Sequence, residues 1–226
     1  MRTPIVPELL PIDLEFEQVR GPAIEPVQLN PAALRARFAR PPAWQAEQSS
    51  DGRLFVPGRA LRPAAVLIAL LERDDGLHVL FTVRSDRLQD HAGQISFPGG
   101  RLERSDPNTV AAALREAHEE VRLDHDFAEV LGTLPLYRTV SGFDVTPVVA
   151  LVRPGAHLVA DPAEVEEFFE VPLAFLMDSG NHQRRVVVQE EPRRCVYAIE
   201  YLGRRRYLIW GATAAMLRNF YRFLAA

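Results

Sequence analysis

The chain has 226 residues, 47% of them hydrophobic and 25% charged, with a formal net charge of −4. This composition can bury a core, so it excludes a disordered chain, and the acidic balance argues against a nucleic-acid partner. The single cysteine, Cys195, excludes a disulfide scaffold, and all 26 basic residues are arginine, which excludes lysine-dependent chemistry such as a Schiff base or a P-loop. Ten of the 18 prolines fall in residues 1–63, so residues 1–60 read as an extended Pro-rich arm with one short helix, Pro31 to Phe38. No secretion signal and no membrane span are visible along the chain, and the expected setting is cytoplasmic. Residues 61–226 read as one domain. Its first strand is the continuous apolar run 64–73, followed after Asp74-Asp75-Gly76 by a hairpin partner, 78–84. Further strands are expected at 95–97, 129–138, 145–152, 185–189 and 195–201. Helices are expected at 107–123, 173–177 and 211–224. The first of these has Asp106 as N-cap and Pro107 in its first turn. Strands with few helices and antiparallel hairpins predict an α+β domain, an α/β/α sandwich around a mixed sheet.

The helix at 107–123 carries the most chemistry. Glu116, Glu119 and Glu120 stand at i, i+3 and i+4, so their carboxylates leave nearly one face. That spacing alone fits a solvated acidic face softened by Arg115, which is placed to pair with Glu119. It also fits a site for a hard divalent cation such as Mg²⁺ or Mn²⁺. Gly99-Gly100 upstream lets a loop bring bare backbone close to a ligand.

Gly100, Asp106 and the run Arg115-Glu116-Ala117-His118-Glu119-Glu120, closed by Leu123, resemble the signature of the Nudix hydrolase family. Two departures stand out. Eight residues separate Asp106 from Arg115, one more than in that signature, and Arg122 replaces its glycine. Residues 80–100, LFTVRSDRLQDHAGQISFPGG, are similar to the motif of the coenzyme A pyrophosphatase branch of that family. Segments 142–150, 164–173 and 207–220 are similar to that branch as well, so the resemblance covers about 64–224 and not the arm. It implies a Nudix fold and metal-assisted hydrolysis of coenzyme A or acyl-CoA to 3′,5′-ADP and 4′-phosphopantetheine or its acyl form. The metal would be Mg²⁺ or Mn²⁺, held by Glu116, Glu119, Glu120 and the Gly99 carbonyl. Arg115 would orient a carboxylate by a charge-assisted bond. Arg84, His91, Gln94 and Gly100 would meet the substrate.

The general base is open between Glu164, on a distant segment, and Glu119, on the helix. We expect Glu119 to be a shared ligand and Glu164 the base. A first-turn position in a helix opened by Asp161-Pro162 is the alternative for Glu164. Trp210 and the Phe220, Tyr221, Phe223 cluster read as core or dimer packing, which leaves a homodimer open. Arg204-Arg205-Arg206 read as a solvated hairpin tip, with the 3′-phosphate of coenzyme A as the alternative role. Two rival functions remain: a Nudix pyrophosphatase for ADP-ribose or dinucleoside polyphosphates, and a non-catalytic nucleotide-binding domain.

Overall fold

A strand covered on both faces is apolar at every position, and the stretch from Ala64 to Leu71 within Arg62–Arg73 is such a run. A computed structural model of the chain describes residues 10–19, 21–47, 61–85, 93–187 and 194–226. Two helices come first, α1 (Leu14–Val19) and α2 (Pro31–Ala39). The chain then runs β1 (Arg62–Arg73), β2 (Gly76–Arg84), β3 (Ile95–Ser96), β4 (Gly99–Arg101), α3 (Thr109–Val121), β5 (Ala128–Thr133), β6 (Tyr137–Arg138) and β7 (Phe143–Val152). It continues with β8 (Val165–Pro172), α4 (Leu173–Leu176), β9 (His182–Val187), β10 (Arg194–Leu202), β11 (Arg206–Trp210) and α5 (Gly211–Ala225).

The larger sheet is ordered β3-β2-β1-β7-β5, with β4 beside β1, β6 beside β7 and β8 beside β2. It is mixed: β1 and β7 run parallel, with Arg62 opposite Phe143, while β1 meets β2 and β4 antiparallel. A second sheet, β11-β10-β9, is antiparallel. Alternation along β1 builds two cores. Ala65, Leu67, Ala69 and Leu71 point to one face, against Ala112, Ala113, Ala117 and Val121 of α3. Ala64, Ile68 and Leu70 point to the other, into a core shared with Leu34 of α2 and Leu217 and Phe220 of α5. The three alanines of α3 let its axis lie close to the sheet, which brings the acidic face of the helix to the sheet's end. The expected α/β/α sandwich is therefore the architecture found.

The expected helix at 211–224 and the hairpin strands match α5, β1 and β2 within two residues. Three strands and one helix were not expected. β4 is a three-residue Gly-Gly-Arg segment without a hydrophobic pattern. β8 carries three acids among its apolar residues, and β11 follows the arginine run. In α1, six residues are too few to show a helical period, but Asp13 caps it, accepting from Glu15 N–H at 3.2 Å and Phe16 N–H at 3.4 Å. α2 begins with Asn30 accepting from Ala33 N–H at 3.0 Å. Residues 10–19 pack against the smaller sheet, and residues 21–47 reach α5 and β5. Phe16 packs edge-on to Tyr197, Phe38 packs against Phe223, and Glu47 pairs with the buried Arg218 at 3.1 Å.

Candidate active site

The entry to α3 differs from the expectation. Asn108, not Asp106, is the N-cap, its side chain accepting from Ala111 N–H at 2.9 Å, and the helix starts at Thr109 rather than Pro107. Asp106 is diverted because Arg115 is within reach. The guanidinium grips the carboxylate through Nε and Nη2, both at 3.0 Å, while Glu103 N–H donates to it at 2.8 Å. The arginine holds the Asp106 carboxyl below its ordinary pKa. Arg115 also donates to Glu119 at 2.7 Å, Glu116 at 3.1 Å and the Arg101 carbonyl at 3.1 Å. One guanidinium thus ties β4, the loop and two glutamates together.

Both glycines are required by close approach. A Cβ on Gly99 would lie 2.4 Å from the Ala65 carbonyl, and one on Gly100 would lie 2.4 Å from Glu116 Oε1. The Glu116 carboxylate rests against the bare Gly100 backbone. At the other end of α3, Arg122 takes the left-handed conformation, φ 56° and ψ 27°, that the signature's glycine would take. It is the single non-glycine residue with positive φ among the described residues. The departure at 122 therefore leaves the turn geometry intact, at a conformational cost.

Glu120 is 3% exposed and its Oε2 has no hydrogen-bond partner. Burial, then the neighbouring Glu116 carboxylate, push its pKa up to about 8, against the opposing pull of Arg84. Burial also raises Glu116, and the Glu164 carboxylate raises both. Arg84 is close enough to act on Glu120 without a direct bond, and its own Nε is buried and unpartnered. A buried carboxylate and a half-buried guanidinium with its Nε covered therefore face one space with polar atoms unsatisfied, and such atoms call for a ligand. Among the described residues, no three His, Cys, Asp or Glu side chains close to metal-ligating spacing. Arg115 holds Glu119 outward, with its side chain 48% exposed. The orphaned Glu120 oxygen and the half-buried Glu116 nonetheless fit the hard-oxygen donors that a divalent cation takes.

Glu164 reaches this space through strand pairing. β8 pairs with β2, with Val165 opposite Arg84, and Ser85 N–H donates to the Glu164 carbonyl at 2.9 Å. The helix start considered at Asp161-Pro162 does not form. Asp161 instead closes a tight turn, accepting from Ala163 N–H at 2.9 Å, and the chain enters β8.

A cleft of about 570 Å³ opens beside the glutamates and is lined by Arg84, Gln94, Gly99 and Gly100, so these four expected residues are together. His91 lies outside the described residues. Trp210, read from sequence as packing, lines the cleft with Thr213 and Met216. Arg62, Arg101 and Phe143 also line it, and the sequence reading missed them because each stands on a different strand. By contrast, Phe220, Tyr221 and Phe223 are buried, consistent with core packing, and Arg204 to Arg206 are exposed at the β10–β11 tip.

This arrangement defines a class. Residues 61–190 match the family model described as the NUDIX domain, and the chain belongs to the Nudix family. It is a Nudix pyrophosphohydrolase. The chain is similar to the uncharacterized Nudix hydrolase NudL of Citrobacter koseri, 42% identical over 159 residues, 70% of this chain and 80% of that protein. NudL of Escherichia coli O7:K1 is 40% identical over the same shares. Among solved structures, the Nudix hydrolase RenU of M. smegmatis is 24% identical, covers 50% of this chain and 72% of its own, and has a TM-score of 0.43. No helix among the described residues is long and apolar enough to cross a membrane.

Proposed function

We propose that the chain hydrolyses the phosphoanhydride of coenzyme A or acyl-CoA, releasing 3′,5′-ADP and 4′-phosphopantetheine or its acyl form. The observation that carries this reading is that Arg84, Gln94, Gly99 and Gly100 of the motif line one cleft beside the glutamates of the signature helix. Nudix hydrolases generally use divalent metal ions. Glu116, Glu120, the shared ligand Glu119 and the Gly99 carbonyl would hold Mg²⁺ or Mn²⁺. Bound there, such an ion supplies positive charge to the phosphoryl oxygens and lowers the pKa of an attacking water.

The chain's own residues supply the rest. Arg84 offers its fork to the substrate phosphates and, being half-buried, does so with reduced screening. Gly100 gives backbone approach to the substrate. Arg115 fixes Glu116 and Glu119, so the acidic face is in place before substrate arrives. Glu164 accepts the proton of the water as its oxygen bonds to phosphorus and the bridging P–O bond breaks, leaving the electron pair on the departing phosphate. Glu119 suits this role less because Arg115 already holds it.

The test is turnover of purified protein with Mg²⁺ or Mn²⁺ on coenzyme A, ADP-ribose and diadenosine polyphosphates. Coenzyme A should give the highest kcat/KM. A clearly better ADP-ribose would overturn the substrate reading and leave the family intact.

A further inference from the structure

The cleft extends beyond the space between Arg84 and Glu120, and its far end carries a charge arrangement that phosphoanhydride cleavage does not use. Strand register builds it. Arg62 on β1 is opposite Phe143 on β7, and Arg101 on β4 is opposite Ala64, two residues further along β1. Residues two apart share a face, so both arginines and the ring point into the same cleft. The Arg62 guanidinium lies 4.1 Å from the Phe143 ring centroid and that of Arg101 lies 5.4 Å from it. Neither side chain has a carboxylate partner among the described residues, although most of the chain's other described arginines do.

Two like charges on one ring repel each other, and the ring neutralises neither. A guanidinium held to an aromatic face keeps its in-plane N–H donors available. The ring thus positions two forks while leaving their charge unspent, which suits a dianion that both can grip. Arg101 is two residues, about 7 Å of strand, from Gly99. That separation is more than adjacent phosphates span, so the anion is not part of the scissile pair. Trp210 and Met216 line the same cleft and give it an apolar wall of a kind that accepts a nucleobase. The Arg204 to Arg206 run is not an equivalent choice, since Arg205 pairs with Glu167 at 3.0 Å and Arg206 with Glu200 at 2.6 Å.

We propose that Arg62 and Arg101, clasped on Phe143, bind a phosphomonoester on the ribose of the nucleotide half of the substrate. This deepens the coenzyme A reading and rests on it for the identity of that phosphate, the 3′-phosphate. The pair is a specificity-determining site.

The test separates the two claims. Calorimetry on the full chain compares adenosine 3′,5′-bisphosphate with adenosine 5′-monophosphate, which lacks the extra phosphate. The bisphosphate should bind at least about tenfold tighter. Arg62→Gln and Arg101→Gln should each cut that ratio several-fold to tenfold, the double variant should bring it near one, and added salt should lower it in wild type. The kcat/KM ratio of coenzyme A to dephospho-coenzyme A should fall in parallel. Equal binding of both nucleotides by wild type, or variants that weaken both alike with the ratio unchanged, would overturn the subsite. A bisphosphate preference through the two arginines without coenzyme A hydrolysis would keep the subsite and sink the substrate reading. Hydrolysis of coenzyme A with no such preference would do the reverse.

Discussion

Glu120 is held in a state that costs the fold. Its carboxyl is buried beside Glu116 with one oxygen unpartnered, and its pKa rises to about 8. Removing the charge while keeping the shape relieves that cost. In metal-free protein, Glu120→Gln should therefore raise stability, by roughly 1–3 kcal/mol on the usual scale for an unsatisfied buried group. The same variant should lose divalent affinity and turnover together. Thermal melts with and without chelator, beside metal titrations, read both effects, and an active variant with normal metal dependence would refute the ligand role. Glu164 is exposed and carries no such burden. Glu164→Gln should cut kcat by roughly 10²–10⁴-fold with metal affinity intact, whereas Glu119→Gln should weaken both. Loss of turnover at unchanged metal affinity in Glu119→Gln, with Glu164→Gln active, would move the base to the helix.

α3 is the element on which the site depends, and each end shows a local solution. At its start Asn108 caps the helix, which releases Asp106 to anchor Arg115. The extra loop residue is accommodated there: the N-cap falls two positions after the acid, and the acid bonds the helix from outside. At its end Arg122 occupies a left-handed conformation that an L-residue adopts at a cost. Its ion pair with Asp161 is long, at 3.6 Å, and largely exposed, so it offsets little. Arg122→Gly should therefore stabilise the protein by about 0.5–1 kcal/mol, after allowance for the extra unfolded-state freedom of glycine. Denaturant melts check this, and activity should not fall. A destabilised variant would mean that the Arg122 side chain contributes more than its distance to Asp161 suggests.

Across the whole molecule, the smaller sheet, α5 and residues 10–19 and 21–47 are joined around buried polar groups, and one of them makes stability pH-dependent. His182 is 1% exposed, bonds the Leu176 carbonyl through Nε2 at 2.7 Å and leaves Nδ1 unpartnered. Burial pushes its pKa down to about 4. The sign follows from proton uptake. Above its ordinary pKa, near 6.5, both states are neutral and this histidine costs nothing. As pH falls from there towards about 4, the unfolded chain takes up a proton that the folded chain refuses, and stability drops. The loss is at most roughly 3 kcal/mol and is complete once pH is below the folded value. Melts from pH 7 to 4 should show wild type losing more stability than His182→Gln across that window, and parallel curves would refute the assignment.

The sequence by itself determined whatever depends on neighbours along the chain. The apolar run of β1 marked a strand buried on both faces, and the alanine and valine stripe of α3 marked the helix face that would pack. The three glutamates at one-turn spacing, with Arg115 beside them, showed where charge would gather. Short or mixed segments gave no such signal: β4 is three residues long, β8 carries three acids among its apolar residues, and Asp106 read as the cap that Asn108 forms. Tertiary structure decided what is set by pairing across the chain. Only the β2–β8 register brings Glu164 towards Glu116 and Glu120. Only the β4–β1–β7 register gathers Arg101, Arg62 and Phe143 into one cleft wall. Trp210, at the end of β11 in the other sheet, lines that cleft as well. The physical cause is that periodicity records which side of an element is buried, whereas a site forms where several elements end together, and that depends on contacts distant in sequence.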